Sequence, residues 1–433
     1  MTANPCFDSY TAKNAYPISL KYSPEAGRYA VASRPIPTGD TVLKCLPFGV
    51  SLNHNCRRQA CHTCGAYTLA RSSLPLSCTT CKSVYYCSQS CKSKRSQYHQ
   101  KYECPSFRDI HALSGPKFKR CFEDARKRLP ESERYLADVY TYEDIQDNAR
   151  WALGIMVRKQ VEEDSLLHQS PTSFTHTFPT FADVLDLVGN ESQIPSDERH
   201  QLHFIHEILS TLPSSSKKST TPHHQQQQPH PHPTFSTFYK THFLTPETFT
   251  SLLCIRQMNG FGLWDGANEC LGHALYAFAS YFNHSCAPNM VRDTGLRCAD
   301  NMSNGHADEN GSETITNSLA NSSISDDCAP LTLEEITQVL LSEPSVSFRA
   351  LHPITKDSGL HHSYIECTMS RKERLRILKE GYCFDCGCPR CVDVDRVDGE
   401  VDGVDSYVEK YVCGSCGAVR IPGEVCVRCG GVV

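Results

Sequence analysis

The sequence of 433 residues has no apolar run long enough to cross a bilayer, and its first residues, MTANPCFDSYTAKN, lack the apolar core of a secretory signal. Membrane-spanning and secreted classes are therefore set aside, and a cytosolic or nuclear protein is expected. An excess of positive charge is also missing: 43 Lys and Arg face 48 Asp and Glu, for a net charge of -5 and a pI near 6.5. Without a basic stripe there is no electrostatic footprint of nucleic-acid binding. Two stretches are nearly devoid of apolar residues, 213–234 (PSSSKKSTTPHHQQQQPHPHPT) and 294–330. Such segments bury too little to offset the entropy of ordering a chain, so both read as disordered insertions, the histidines of the first as part of a solvated tract.

Cysteine, by contrast, is abundant, with 25 in the chain. Thiols in a reducing compartment do not persist as disulfides. Many of these fall in C-x2-C pairs, the spacing that lets two thiolates from one tight turn reach one tetrahedral zinc. Cys61, Cys64, Cys78, Cys81, Cys87, Cys91, His99 and Cys104 supply eight candidate ligands, enough for two closed sites. Cys386, Cys388 and Cys391 supply three thiolates, one short of a closed site, and Cys413, Cys416, Cys426 and Cys429 form two knuckles of a small zinc ribbon. The Lys92-Ser-Lys-Arg95 run beside the first group reads as a solvated helix face.

Residues 15–50 read as short strands and turns, with Gly27 before a first run at Tyr29. Between 106 and 260 the pattern turns helical: Ile145, Ala149, Ala152, Leu153, Met156 and Val157 share one face of a helix from Tyr142 to Val161. Helices also follow over His200 to Leu212 and from Thr245-Pro246-Glu247 to Met258, and Thr332-x-x-Glu335 opens a short amphipathic run. The stretch Tyr281-Phe-Asn283-His284-Ser-Cys286-Ala-Pro-Asn289 is too irregular for a helix or strand interior and reads as a backbone crossing fixed by side chains.

NHSCAPN resembles a signature of SET-domain lysine methyltransferases, Cys61 to Cys104 with Tyr86-Cys87-Ser88 resembles a MYND finger, and Tyr382-Cys-Phe384-Asp-Cys-Gly-Cys-Pro-Arg-Cys391 resembles a post-SET segment. Together these cover most of 15–391 outside the insertions. The resemblance is to the SET and MYND domain-containing, SMYD-like protein-lysine methyltransferases, in a fungal-type short form with no room for a C-terminal helical-repeat domain. It implies that Cys61, Cys64, Cys87 and Cys91 share one zinc, that Cys78, Cys81, His99 and Cys104 share a second, and that Cys286 completes the site begun by Cys386, Cys388 and Cys391. It also places S-adenosylmethionine against Gly27, Arg28, Asn259, Asn283 and His284, Tyr382 and Phe384 on the substrate lysine channel, and Tyr364 as the catalytic tyrosine. Three departures stand out. His99 and Cys104 have four residues between them where three is usual, Tyr29 replaces the second glycine of a Gly-x-Gly turn, and 357–363 keeps only the length and a leucine of the strand before the tyrosine.

The implied fold is α+β: a mainly β SET core (15–55 and 259–382) split by a MYND finger (61–104) and a helical insert (106–258), followed by a post-SET zinc segment (383–391) and a zinc ribbon (408–433). The implied reaction moves a methyl group from S-adenosylmethionine to a lysine of a histone or another protein, with the MYND finger open to a peptide partner. The rival is a zinc-built interaction scaffold without catalysis, supported by Tyr29 and by 357–363. A DNA-binding zinc protein is disfavoured by charge.

Overall fold

The computed structural model describes residues 4–69, 72–112, 116–168, 178–212, 234–243, 245–299, 331–392, 406–426 and 428–431. The insertions expected at 213–234 and 294–330 fall largely outside these, as does the acidic stretch 393–405. The ends of both are nevertheless placed. Thr234 caps the helix Phe235–His242, and 294–299 runs beside the finger, where the Tyr67 N–H donates to the Arg297 carbonyl at 3.0 Å. Those residues are ordered because Tyr67 offers paired backbone groups that composition does not reveal.

Small sheets form one face of the molecule. β1 (Ile18–Ser23) and β2 (Gly27–Ala32) make a hairpin. β3 (Thr41–Cys45) and β4 (Gly49–Leu52) follow, then β5 (Leu76–Ser77) and β6 (Tyr85–Tyr86) within the finger. After the helical region come β7 (Gly260–Trp264), β8 (Cys270–Leu275), β9 (Asn283–His284), β10 (Met290–Asp293), β11 (Val346–Ala350) and β12 (His361–His362). They associate in the orders β10-β11-β3 and β4-β8-β7, with β9 and β12 paired in parallel. Alternation is clean in β11, where Val346, Phe348 and Ala350 are buried and the residues between them are not. At Gly272 a side chain is impossible in this packing: a Cβ would lie 2.1 Å from the Ser51 carbonyl oxygen across the β4–β8 pair.

The helical region packs on this face through the 27-residue helix Tyr142–His168, which extends past the expected Val161. Its six predicted core residues are all buried, and Gly154 lets it approach β4, since a Cβ there would sit 3.0 Å from the Val50 carbonyl. The helix Ser196–Ser210 and the Thr245-capped helix Pro246–Asn259 complete the layer. The capping box at Thr332 and Glu335 opens the helix Leu333–Leu341. One helix precedes the expected start at residue 15: Asn4 caps Pro5–Lys13, and Phe7 packs edge-on against Phe278 and Tyr281.

The reading of Lys92 to Arg95 as a solvated face needs a correction. Lys94 is exposed, but Arg95 is buried, its guanidinium 2.6 Å from Glu103 and 3.2 Å from Glu343. The pairing joins the finger to the segment leading into β11. A charge run in one dimension cannot show that one of its members has two carboxylates waiting 8 and 248 positions away.

Candidate functional site

Among the described residues four sets of four ligand atoms converge, and they are the four sets expected from the sequence: Cys61, Cys64, Cys87 and Cys91; Cys78, Cys81, His99 and Cys104; Cys286, Cys386, Cys388 and Cys391; Cys413, Cys416, Cys426 and Cys429. With Zn–S bonds of about 2.3 Å, a tetrahedron has S–S edges of about 3.8 Å. The observed edges match it: Cys64–Cys87 is 3.7 Å, Cys78–Cys104 3.8 Å, Cys286–Cys391 3.5 Å and Cys413–Cys429 3.7 Å. Cys81 Sγ lies 3.4 Å from His99 Nε2, as a shorter Zn–N bond requires. Four protein ligands per site leave no open position, which is the character of structural rather than catalytic zinc.

The fourth residue between His99 and Cys104 is absorbed by a π-helical turn over His99–Glu103, in which the Cys104 N–H reaches back to the His99 carbonyl. Such a turn accommodates one inserted residue without unwinding the helices around it, so His99 and Cys104 still face the same site. Glu103, inside that turn, accepts from His99 Nδ1 at 2.9 Å and thereby leaves Nε2 free to bind metal. Burial opposes the Glu103 charge, but Arg95 and the histidines outweigh it and hold the carboxyl well below its usual range.

The third cluster builds the cleft. Cys286 ends the crossing at β9, where β12 runs alongside and the Ser285 N–H donates to the His362 carbonyl at 3.1 Å. Asn289 clasps the two segments, donating to the Gly359 carbonyl at 2.8 Å and accepting from the His361 N–H at 2.9 Å. His284 sits between metal site and tyrosine. Its Nδ1 accepts from the Tyr364 N–H at 3.1 Å, which leaves Nε2–H to donate to Cys286 Sγ at 3.2 Å. The ring is neutral, since burial lowers its pKa to about 4. On the opposite side, Arg374, in the helix Arg371–Tyr382, is among the most buried side chains and donates to the Met369 carbonyl at 2.6 Å. Burial opposes its charge too, yet the Cys286 and Cys391 sulfurs beside it raise its pKa. Neither role was read from the sequence, where Arg374 was one charge in a charged helix.

All eight residues predicted for cofactor, channel and catalysis line one cleft of about 930 Å3: Gly27, Arg28, Asn259, Asn283, His284, Tyr364, Tyr382 and Phe384. That is the scale of small-molecule sites. Gly27 has φ +65°, with no atom within 4 Å of where a Cβ would stand, so the open wall here is backbone. Asn283 Nδ2 donates to the Ala26 carbonyl at 3.0 Å, tying this turn to the crossing. Two predicted side chains are engaged elsewhere. Arg28 bonds the Asp186 carboxylate and lies over the Tyr281 ring, and Asn259 donates to the carbonyls of Val188 and Ile255 at 2.8 and 3.0 Å. Tyr29 lies in the β1–β2 hairpin opposite Lys21 and is not among the lining residues.

Tyr364 and Tyr382, ring centroids 5.1 Å apart, also line two further clefts of about 600 and 440 Å3. Phe384 stands edge-on to Tyr364 at 6.5 Å. Burial raises the pKa of both tyrosines, so both are neutral phenols. The Tyr364 hydroxyl donates to the Phe282 carbonyl at 3.0 Å. Trp264, Arg292 and His362, absent from the sequence reading, line both smaller clefts. The ribbon contributes Gly417 to Val419 and Arg428 to the 440 Å3 cleft and is anchored by Arg349–Glu424 at 2.7 Å.

The MYND finger family profile matches residues 61–104. A SET and MYND domain-containing protein of Dictyostelium discoideum is 27% identical over 412 residues, covering 92% of this chain and 86% of its own length. The histone-lysine N-methyltransferase SMYD3 of mouse is 21% identical over 391 residues, 89% of this chain and 63% of its own, and the N-lysine methyltransferase SMYD2-A of zebrafish is 20% identical over 382 residues, 88% and 61%. With the finger, the zinc clusters and relatives matched along nearly its whole length, the chain is similar to the SMYD-like proteins of the SET and MYND domain-containing family.

Proposed function

We propose that the protein transfers a methyl group from S-adenosylmethionine to the ε-amine of a lysine in a protein substrate. One observation carries the reading: a cofactor-sized cleft and two further clefts meet at a single tyrosine pair, Tyr364 and Tyr382. That arrangement suits two substrates that approach from different sides and react through a narrow opening. Bound in the larger cleft against Gly27, Asn283 and His284, S-adenosylmethionine supplies an electrophilic methyl group. The chain supplies position. Because the Tyr364 hydroxyl proton is committed to the Phe282 carbonyl, its oxygen presents only lone pairs and accepts an amine N–H. Tyr382 and Phe384 exclude water from the opening and favour the cationic product through their ring faces. Catalysis then comes mainly from holding the amine in line.

The alternative, an inactive scaffold acting through the MYND finger, draws on Arg28 and Asn259, whose side chains are already satisfied within the protein. Tyr29 no longer supports it, since that side chain lies outside the cleft. A peptide partner for the finger, and a cytosolic or nuclear location, fit either reading. Calorimetric titration of the zinc-loaded chain with S-adenosylmethionine, with transfer of labelled methyl into lysine of a protein extract, separates the two. Tyr364→Phe is expected to keep cofactor affinity and lose most of the turnover. Absence of cofactor binding by the wild type refutes the enzyme reading.

A further inference from the structure

Transfer to lysine needs the neutral amine, because only it has a lone pair, yet a lysine with a pKa near 10.4 is almost wholly protonated at pH 7. Something at the opening must disfavour the ammonium form. Arg292, on β10, lines both smaller clefts together with His362, Tyr364 and Tyr382. A continuous run of contacts leads from it to the tyrosine pair. Its guanidinium lies 5.5 Å from the Phe261 ring centre, Phe261 stacks on His362 at 5.6 Å, His362 meets Tyr364 at 5.0 Å, and Tyr364 meets Tyr382. Among the described residues the Arg292 side chain makes no hydrogen bond or ion pair, and although burial lowers its pKa a guanidinium keeps its charge.

The carboxylates lining these clefts are occupied or exposed. Asp265 accepts from the Ala267 and Glu269 N–H groups, Asp293 from Gly295, Asp144 from Thr141 and Asp147 from His54, while Glu366 is exposed. None pairs with Arg292. Of the other basic groups, Arg256 lines the larger of the two clefts with its guanidinium 5.0 Å from the Trp151 ring centre, and Arg428 the ribbon wall of the smaller. Burial keeps His273 and His362 neutral, so neither adds a charge. At the tyrosines themselves, burial raises the Tyr382 pKa and Arg292 is the charge that opposes it.

We infer that Arg292 keeps the target lysine unprotonated: its positive charge, which no carboxylate pairs directly, repels an ammonium at the opening and admits an amine. The role rests on the methyltransferase reading above. Arg292 acts as a positioning residue for charge and does not take the proton, which leaves to solvent before the side chain enters. At an effective dielectric constant of about 20, a unit charge within about 10 Å of an amine lowers its pKa by about one unit or more.

The test is the pH dependence of single-turnover methyl transfer by the zinc-loaded full chain, read as labelled methyl-lysine in a protein extract. It compares wild type, Arg292→Met, Arg292→Gln and Arg292→Lys, with zinc content and cofactor affinity measured in each. The two neutral variants, whichever folds, are expected to have the rising limb moved up by about one to two pH units, with a rate at pH 7 lower by about 10- to 100-fold and regained at higher pH. Arg292→Lys is expected to keep the wild-type limb. A neutral variant with an unmoved limb and a uniformly lower rate would show a packing role and overturn the inference. So would a defect confined to acidic substrate sequences, which would make Arg292 a carboxylate reader. Wild type that binds cofactor but transfers no methyl at any pH refutes the methyltransferase reading itself, and the inference falls with it.

Discussion

His284 joins a zinc ligand to the proposed catalytic tyrosine through two different nitrogens, so the two links can be cut separately. In His284→Asn, the amide can still place an oxygen where Nδ1 accepts from the Tyr364 N–H, but it is too short to reach Cys286. In His284→Gln, the longer side chain can still donate toward Cys286 Sγ and no longer serves Tyr364. A hydrogen bond to a charged group contributes about 1.5–3 kcal/mol. At 1.4 kcal/mol per decade, losing the donor to the Cys286 thiolate should weaken zinc by about 10- to 100-fold, the range found when partners of metal ligands are removed. Losing the acceptor instead leaves a buried N–H unpaired, at about 1–3 kcal/mol, and frees Tyr364 without touching the metal. The assay is zinc release to a chromogenic chelator at increasing chelator concentration, which resolves the post-SET ion from the other three by comparison with Cys286→Ser. His284→Asn should release that ion early and His284→Gln should hold it, while cofactor affinity falls in both. Zinc release identical to wild type in His284→Asn, or early release in His284→Gln, would show that the ring does not divide its nitrogens as described.

Elemental analysis of folded protein should find four zinc ions per chain, since four complete ligand sets converge; two or fewer would refute it. Deleting Gln100, an exposed residue in the π-helical turn, should convert that turn to regular helix and keep all four ions, and loss of one would show that the turn is required rather than tolerated. His242 is buried with neither ring nitrogen bonded, edge-on to Phe238 at 4.6 Å. His242→Phe should therefore stabilise the protein by about 1 kcal/mol or more, and a lower denaturation midpoint at pH 7 would contradict this. Burial lowers His54, His242 and His273 to about 3, 4 and 4. Their folded values lie below the unfolded value near 6.5, so the stability they contribute is complete above pH 6.5 and is lost as pH falls toward 4. Denaturant titrations across that window should show proton uptake on unfolding, reduced in His242→Phe.

The zinc ligands were legible because coordination imposes short, repeated spacings, and thiolates are nearly the only groups that satisfy them. The helix from Tyr142 was legible as far as Val161 from its buried face, and the Thr245 and Thr332 caps from their local hydrogen bonds. What stayed hidden depends on distant partners. Arg95 reads as solvated until Glu343 arrives from 248 positions away. Asn4 carries no signal in the sequence, yet its side chain donates to Asp183 and Tyr281. Arg28 and Asn259 stand at the cleft as expected, but Asp186 and Val188, on the helical insert, claim their side chains. Arg292 carries no motif at all, and His362, two positions before Tyr364, lies in the stretch where the resembled strand is lost.

The wide spacing of the post-SET ligands bears on how the protein is made. The finger closes both of its sites within 61–104, so it can take up metal while most of the chain is still unsynthesised. Cys286 must wait for Cys391, 105 positions later, and until then the larger cleft lacks the wall formed by Phe384 and its neighbours. A nascent or prematurely terminated chain thus carries a complete finger and an incomplete larger cleft. The order of synthesis itself separates completion of the finger from completion of the cleft, and binding of an ion by Cys286, Cys386, Cys388 and Cys391 marks the moment at which the cleft gains its last wall.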